Sequence, residues 1–293
     1  MFDFMKYNNK IKKWYFALTK NKNSKKYQEL AKAAVLSAKK NTSLKPHLIY
    51  DSGNDDFTDW MFAHGVQVIH HTLSFLDKMT GLPINLEVAR GAYLRFDIPW
   101  IEKEDQFILY TDVDVLFLKE IQLLTSQYQP PFFAACGELT FQNIRRGKPP
   151  SFLPTFNTGV MIMNLEKMQQ EYYDLIQFCY RNKFNFKAFD QGALNAYMKT
   201  KNANQWNYLD HKLNYRICTL NQVINPTIVH FHGLKPFDVP KLKNRKPERA
   251  NRHISDKSLQ ELMYDIAPAK YNYYNDLFKR YRYFLEKKII RDA

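Results

Sequence analysis

The first part of the chain alternates between short apolar runs and helix-like segments, and this alternation is the strongest constraint on the fold. The runs Trp14–Leu18, Leu44–Tyr50 and Val66–His70 are predicted to be strands. One helix is predicted from a Ser24 cap to about residue 40, and a shorter one over Asp55–His64. Strands separated by helices at this spacing indicate an α/β fold built on a parallel, doubly wound sheet.

Further elements are predicted along the rest of the chain. The predicted strands are Phe107–Thr111, Pro130–Ala135, Gly159–Leu165 and Ile228–Phe231. The predicted helices are Glu87–Ile98, Glu171–Asn182 and Asp190–Met198, and the predicted polar loops are Thr140–Phe152 and Lys241–His253. With no repeats and no low-complexity linker, we expect one α/β domain over residues 1–255 and a basic amphipathic helical appendage over residues 256–293.

Two acids lie at the predicted end of one strand. Asp112 and Asp114 interrupt the apolar run Phe107–Leu118, where burying two carboxylates is costly unless a cation compensates them. Residues i and i+2 of an extended chain point to the same side, so both carboxylates can reach one ion. Carboxylate oxygens suit hard ions such as Mn²⁺ or Mg²⁺. Ligands of open α/β sheets bind beyond the carboxyl ends of the strands, so this is where a site is expected.

Three later motifs carry further polar groups, each with an ordinary structural alternative. Asn157 and Gly159 could meet sugar hydroxyls and allow a close approach of a ligand, or they could form a turn before a strand. Asp190 could face a polar substrate or cap a helix. His230 could complete a metal site begun by the acids, or it could be an ordinary hydrogen-bonded histidine. Lys235 could neutralise phosphate charge.

The charge pattern leaves the partner open. The formal net charge is +14, with basic clusters near residues 6–26, 241–252 and 279–291. Such clusters attract polyanions or form a solvated surface. The stripe of Tyr274, Phe278, Tyr281, Leu285 and Ile289 predicts an amphipathic helix, which would contact an anionic membrane surface or pack on the domain. The three scattered cysteines argue against a disulfide framework or a zinc finger.

The sequence also bears on location. The lysine-rich start is not followed by an apolar segment typical of a signal peptide. Nowhere do 18 apolar residues follow one another, so no membrane span is predicted. We expect a cytoplasmic protein, with attachment to the inner face of a membrane left open.

Four motifs, in their order along the chain, resemble those of family 8 glycosyltransferases, the group of glycogenin and the bacterial lipooligosaccharide galactosyltransferases. The segments are YTDVDVLF at 110–117, FNTGVMIMNL at 156–165, FDQGALN at 189–195 and VHFHGLKPF at 229–237. The resemblance runs from about Trp14 to Phe237. It implies the GT-A fold, a mixed and mainly parallel sheet flanked by helices.

The resemblance also implies roles for particular residues. The implied ligands of Mn²⁺ or Mg²⁺ are Asp112, Asp114 and His230. The implied donor-binding residues are Ala17, Thr19, Arg95, Thr111, Asp112, Val113, Asn157, Gly159, Gly233 and Lys235. The implied catalytic residues are Asp190, Gln191 and Asn157. The expected reaction moves a hexose from a nucleoside diphosphate sugar, preferably a UDP-sugar, to a saccharide acceptor with retention of anomeric configuration. A lipid-linked cell-surface glycan is one such acceptor.

The chain departs from the family pattern at three places. The segment Ala17-Leu18-Thr19 lacks the acid that the family usually has near the nucleotide base. Gly192 replaces a third acid after Asp190 and Gln191. The histidine segment is one residue short, and Phe237 stands where the family has tryptophan. These departures leave the base and the reach of Lys235 open.

Two other functions remain as alternatives. The departures are compatible with a degenerate transferase that binds a nucleotide sugar without turnover. The positive charge and the aromatic residues are compatible with a nucleic-acid-binding protein. The second alternative leaves Asp112 and Asp114 unexplained, and no helix-turn-helix, RNA-recognition or zinc signature is present. No nucleic-acid partner is therefore expected.

Overall fold

Two β-sheets and the helices that connect their strands form the described part of the chain, and apolar residues pack on both faces of the larger sheet. The computed structural model describes residues 10–21, 24–121, 123, 130–138, 155–201, 206–216, 225–232, 235–236, 273 and 276–279. The strands within these ranges are β1 (Lys13–Thr19), β2 (Lys45–Asp51), β3 (Gln67–His70), β4 (Phe107–Thr111), β5 (Val115–Phe117), β6 (Phe133–Gly137), β7 (Phe156–Asn164), β8 (Trp206–Tyr208), β9 (Tyr215–Arg216) and β10 (Ile228–His230).

The larger sheet is mixed and mainly parallel, as predicted. Its strand order is β3-β2-β1-β4-β7-β6-β8. Neighbours β3, β2, β1 and β4 run parallel, β7 runs antiparallel to both β4 and β6, and β8 is parallel to β6. A second sheet with the order β5-β10-β9 was not predicted. Of its strands, β10 corresponds to the predicted strand Ile228–Phe231, whereas β5 and β9 are too short to produce a clear periodic signal in the sequence.

Helices connect the strands, and several have identifiable caps. They are α1 (Ser24–Asn41), α2 (Asp56–Ala63), α3 (Leu76–Met79), α4 (Leu86–Tyr93), α5 (Ile98–Ile101), α6 (Leu165–Arg181) and α7 (Phe189–Thr200). Asp55 and Thr58 form a reciprocal capping box at the start of α2. Asn164 caps α6 by accepting the Lys167 amide. Within the described ranges, no helix is both long enough and apolar enough to cross a membrane.

The side chains of β1 show how the core is divided between the two faces of the large sheet. Tyr15 and Ala17 belong to the cluster that includes residues of α4, α6 and α7, whereas Trp14 and Phe16 belong to the cluster that includes α1 and α2. The alternation follows from the period of two along a strand. Because both faces are buried, β1 is a continuous apolar run, which is how the sequence displays it.

Several predicted boundaries need correction. The strand Phe107–Thr111 is confirmed at both ends. The single helix predicted over Glu87–Ile98 is wrong: α4 ends at Tyr93, a 3-10 turn covers Leu94–Asp97, and α5 follows. Pro99 lies in the first turn of α5, where its missing amide hydrogen costs no helical hydrogen bond. The helix predicted to begin at 171 begins at Leu165, where the Asn164 cap ends β7.

Some predictions fall largely outside the described residues. The loops predicted over 140–152 and 241–253 lie there, as does Gly233. Of the predicted C-terminal stripe, Phe278 is described: it is 5% exposed and packs with its ring centroid 6.2 Å from that of Phe231. This residue therefore contributes to a core with Leu30 and Val229. The division at residue 255 stays a prediction.

Candidate active site

The two acids lie where β4 ends and the chain turns toward β5. The Thr111 hydroxyl accepts a hydrogen bond from Trp14 Nε1 at 2.8 Å. The Asp112 amide donates to the carbonyl oxygen of Gly159 at 2.9 Å. These bonds hold the end of β4 between β1 and β7. The side chain of Asp112 is 31% exposed and that of Asp114 only 6%, so one acid opens to solvent and the other is enclosed by protein.

His230 reaches the acids because β10 pairs antiparallel with β5. It lies opposite Val115, and the Phe231 amide donates to the Asp114 carbonyl oxygen at 2.9 Å. His230 Nε2 is 3.6 Å from Asp112 Oδ2 and 3.4 Å from Asp114 Oδ1. One ligand atom from each of these three residues lies within 4.8 Å of the other two. Two carboxylates and an imidazole suit Mn²⁺, so the residues fit the predicted metal.

The second oxygen of each acid is bound by a cationic side chain. Arg95 Nη2 donates to Asp112 Oδ1 at 2.8 Å, and Lys235 Nζ donates to Asp114 Oδ2. Burial raises the pKa of Asp114, but the positive charge of Lys235 outweighs it and holds that pKa well below its usual range. Asp114 is therefore ionised, with one oxygen on the lysine and the other facing the imidazole.

Arg95 contacts Asp112, Asp190 and the Thr158 carbonyl group at the centre of the site. It lies in the 3-10 turn after α4, is 5% exposed, and donates through Nη1 to the Thr158 carbonyl oxygen at 2.7 Å. Its Nε is 3.1 Å from Asp190 Oδ2, and its guanidinium lies 4.4 Å from the ring centroid of Tyr110. Burial alone would lower the pKa of Arg95, but the charge of Asp190 and other neighbours raises it above its usual value. The role of Arg95 in binding the nucleotide-sugar donor stays a prediction.

Asp190 is not a helix cap, so that structural alternative is wrong. The N-cap of α7 is Ala188, with a left-handed φ of 62° and no side-chain cap bond. Asp190 lies in the first turn, where its Oδ2 accepts the Thr158 hydroxyl at 2.9 Å and pairs with Arg95. Burial raises the pKa of Asp190 to about 6, although the Arg95 charge opposes the shift. The chain thus places a second enclosed carboxyl group near the two acids that follow β4.

The amides of the predicted catalytic residues Gln191 and Asn157 are engaged within the protein. Gln191 Nε2 donates to Glu138 Oε1 at 2.9 Å, and its Oε1 accepts Asn157 Nδ2 at 2.7 Å and the Thr158 amide at 3.3 Å. Asn157 is 1% exposed, and its Oδ1 accepts the Gly159 amide at 3.1 Å. Their roles toward a substrate stay predictions. These contacts make them a rigid support for the strand end.

Two glycines allow close packing in this region. A Cβ at Gly159 would lie 2.7 Å from His230 Nδ1, so the imidazole packs closely against this glycine, and the close approach of a ligand stays a prediction. A Cβ at Gly192 would lie 3.0 Å from Phe186 Cβ and closer still to the Lys187 carbonyl oxygen. A larger residue at position 192 therefore requires a different path of the preceding loop.

Ala17 and Thr19, which are predicted to bind the nucleotide-sugar donor, lie near Asp51, an acid that sequence analysis missed. Ala17 is 9% exposed and Thr19 is 4% exposed, and Thr19 pairs with Asp51 across β1 and β2. Thr19 Oγ1 is 3.4 Å from Asp51 Oδ2, which also accepts Arg90 Nε at 2.8 Å. In the sequence Asp51 directly follows the predicted strand Leu44–Tyr50, and only the register of the strands shows that it pairs with Thr19.

Other residues of the cluster carry little signal in the sequence. Val113 lies between the two acids and is 6% exposed. Asn214 is 1% exposed; its Nδ2 donates to Asn157 Oδ1 at 2.8 Å and its Oδ1 bonds His230 Nδ1 at 2.9 Å. Sequence analysis missed Asn214 and Glu138, because each lies outside the four motifs and joins the cluster through long-range contacts.

The fold and the site define a class of proteins, the GT-A type of nucleotide-sugar transferase fold. Mouse xyloside xylosyltransferase 1 superposes with a TM-score of 0.57 at 18% identity, covering 75% of this chain and 97% of that one. Galactosyltransferase LgtC superposes with a TM-score of 0.55 at 16% identity, covering 88% and 95%. GlyE of Streptococcus pneumoniae superposes with a TM-score of 0.55 at 16% identity, covering 93% and 64%. At these identities the likeness concerns the fold.

Within this class, the family is shown by sequence. The profile of glycosyl transferase family 8 matches residues 23–238, and the chain belongs to this family. The resemblance drawn from the four motifs is thereby confirmed. Glycosyltransferase GlyB of Streptococcus pneumoniae serotype 4 is 25% identical over 192 aligned residues, which cover 59% of this chain and 43% of GlyB. The chain spans less than half the length of this curated relative.

Proposed function

We propose that the protein transfers a hexosyl group from a nucleoside diphosphate sugar, preferably a UDP-sugar, to a saccharide acceptor with retention of configuration. The observation that carries the proposal is the convergence of Asp112, Asp114 and His230 within 4.8 Å at the carboxyl edge of the sheet. This cluster lies inside the region that matches family 8. Ligands of open α/β sheets bind at this edge.

The three residues would hold Mn²⁺ or Mg²⁺. When bound there, the ion would stabilise negative charge on the departing diphosphate. Lys235 would contribute a positive charge at the same place, since its ammonium group already lies on Asp114. Arg95 keeps Asp112 oriented through its 2.8 Å bond, and the carboxyl group of Asp190 would accept hydrogen bonds from sugar hydroxyls.

Retention is best explained by attack on the face from which the diphosphate leaves. The bond from the anomeric carbon to the diphosphate oxygen breaks, and a bond to the acceptor oxygen forms on the same side. The acceptor hydroxyl proton moves to the leaving phosphate oxygen. Gln191 is a poor candidate for a covalent nucleophile, because its amide oxygen already accepts hydrogen bonds from Asn157 and Thr158.

The test is a thermal-shift screen of UDP- and GDP-hexoses with Mn²⁺, followed by transfer assays with the best donor. A true donor raises the unfolding temperature by mass action. Proton NMR of the product then reports the anomeric configuration. Retention supports front-face attack, and inversion rejects it. Absence of stabilisation by any nucleotide sugar, together with salt-sensitive DNA binding, would favour the nucleic-acid alternative instead.

A binding protein without turnover is the second candidate, favoured by Gly192. At this position the acid of the family pattern is missing, and a Cβ would collide with the loop at 186–187. The two functions separate in a donor-hydrolysis assay with and without Mn²⁺. Donor binding without hydrolysis or transfer would select the second candidate.

We further propose that the acceptor is a lipid-linked saccharide met at the cytoplasmic face of a membrane. The support is the basic C-terminal sequence, which includes Lys287, Lys288 and Arg291. Replacing Lys287 and Lys288 with Glu should weaken sedimentation with anionic vesicles while leaving the buried Phe278 in place. Equal vesicle binding of the variant and the wild type would reject the membrane part of the proposal.

A further inference from the structure

A continuous series of side-chain hydrogen bonds connects Glu138, just beyond β6, to His230. The bonds are Gln191 Nε2 to Glu138 Oε1 (2.9 Å), Asn157 Nδ2 to Gln191 Oε1 (2.7 Å), Asn214 Nδ2 to Asn157 Oδ1 (2.8 Å) and His230 Nδ1 to Asn214 Oδ1 (2.9 Å). Asn157, Asn214 and His230 are each 1% exposed. A partner lost from this part of the series is not readily replaced by bulk water, so each bond matters more than on the surface.

The Glu138 carboxylate, at the opposite end of the series from His230, determines which group donates and which accepts in each bond. A carboxylate accepts only, so Gln191 turns its Nε2 toward Glu138 and its Oε1 toward Asn157. Asn157 must then donate through Nδ2. Its Oδ1 also accepts the Gly159 amide at 3.1 Å, which fixes the same orientation independently. Asn214 therefore presents Nδ2 to Asn157 and Oδ1 to the imidazole.

This arrangement decides which nitrogen of the neutral His230 ring carries the hydrogen. Because Asn214 Oδ1 accepts only, Nδ1 is the donor and the lone pair is on Nε2. Nε2 is the nitrogen that faces Asp112 and Asp114. An imidazole binds a metal through its unprotonated nitrogen, and a hydrogen bond from the other nitrogen orients the ring and increases its basicity.

We propose that Asn214 is a positioning residue of this site. Its amide oxygen holds His230 in the tautomer and orientation that a divalent cation on Asp112 and Asp114 requires. The inference rests on the proposed function, because it concerns the same metal site. Asn214 acts through the imidazole: its side-chain hydrogen bonds within the described residues run to Asn157 and His230.

The first test reads the tautomer directly and needs no metal. Ring-nitrogen chemical shifts of His230 are measured in protein carrying isotope-labelled histidine, with the signals assigned by a His230→Gln variant. The wild type should show hydrogen on Nδ1, and Asn214→Ala should show a mixture of the two tautomers. Hydrogen on Nε2 in the wild type would overturn the inference.

The second test measures Mn²⁺ affinity by the paramagnetic resonance signal of the free ion. Asn214→Ala should bind Mn²⁺ about 10- to 100-fold more weakly, as is typical when a partner of a metal-binding histidine is removed. Asn214→Asp should stay close to the wild type, because its carboxylate still accepts from His230 Nδ1. If Asn214 had only a structural role, Asn214→Asp would bind Mn²⁺ more weakly than Asn214→Ala. The aspartate buries a charge and cannot donate a hydrogen bond to Asn157.

The matched control is Asn164→Ala. Asn164 is also buried, at 5% exposure, and donates to the Pro130 carbonyl oxygen at 3.0 Å. This variant should lose stability without a change in Mn²⁺ affinity. If Asn214→Ala fails to fold, the His230 tautomer of the wild type and the Mn²⁺ affinity of Asn214→Asp still test the role of Asn214. Equal affinity in Asn214→Ala and the wild type would refute the role of Asn214, whereas a wild type without Mn²⁺ affinity would reject the proposed metal site itself.

Discussion

The imidazole of His230 fills the space beside Gly159 that a side chain at that position would need. A Cβ added at Gly159 would lie 2.7 Å from His230 Nδ1 and 3.0 Å from Asn157 Oδ1. Both neighbours are buried and hydrogen-bonded, so neither can move aside freely. The missing side chain at residue 159 is thus a requirement of the candidate metal site.

Gly159→Ala should therefore weaken Mn²⁺ binding. The added methyl group displaces the ring of His230 and breaks its alignment with the two acids, and we expect a loss of about 10-fold or more. Calorimetric titration with Mn²⁺ measures the effect. Gly53→Ala is the control, because a Cβ at Gly53 meets nothing within 4 Å. Equal Mn²⁺ affinity in both variants would contradict the prediction.

Asp114→Asn should abolish the stabilisation of the protein by Mn²⁺. The substitution keeps the shape of the side chain but removes the charge that faces His230 Nε2 at 3.4 Å. Thermal unfolding with and without Mn²⁺ should show a shift in the wild type and none in the variant. Asp59→Asn, on the exposed face of α2, should behave as the wild type. A retained shift in Asp114→Asn would remove this acid from the metal site.

Lys235→Ala should destabilise the fold by about 3 kcal/mol, because it leaves the buried carboxylate of Asp114 without its cation. The side chains of Lys235 and Asp114 are 16% and 6% exposed. Urea denaturation at neutral pH measures the change. The control Lys279→Ala breaks an ion pair whose two side chains are 65% and 64% exposed and should change stability by less than about 1 kcal/mol. Comparable losses in the two variants would contradict the expected difference.

The raised pKa of Asp190 predicts a specific pH dependence. Its pKa rises from 3.8 to about 6, mainly because of burial. The folded protein therefore holds a proton that the unfolded chain releases, so this group stabilises the fold fully below about pH 4 and loses that contribution as the pH rises through about 6. Asp190→Asn mimics the neutral form and should lack this loss.

The measurement is the unfolding free energy of both proteins across this pH range. The wild type should lose stability relative to Asp190→Asn as the pH increases from about 4 to about 6, and the difference should level off above that. A difference that stays constant with pH would show that Asp190 titrates in the usual range of a carboxyl group.

Local signals in the sequence predict much of the fold. The strand Phe107–Thr111 is confirmed because an apolar run followed by acids is readable from neighbouring residues alone. The predicted single helix over Glu87–Ile98 is wrong, since a 3-10 turn over Leu94–Asp97 separates α4 from α5, and the periodic pattern does not reveal this change. The small sheet was missed because β5 and β9 are too short for a periodic signal, whereas β10 corresponds to the predicted strand Ile228–Phe231.

The candidate site is predictable in part. The motifs contain Asp112, Asp114 and His230, and the structure brings them together as a group that could hold a metal. The sequence does not indicate that Arg95 bonds Asp112 or that Asn214 bonds the imidazole. Both facts depend on how separate segments pack, which residue types alone do not specify.

The sequence by itself determined the family, the order of the main elements and the identity of the candidate metal ligands. These follow from motif spacing and from apolar runs, which are local properties of the chain. Tertiary structure alone decided the partners of those ligands. Lys235 and Asp114 are 121 positions apart, and Asn214 and Asn157 are 57 positions apart. Such pairs meet only after β5 joins β10 and β7 enters the large sheet, because strand pairing, and not sequence proximity, sets their distance.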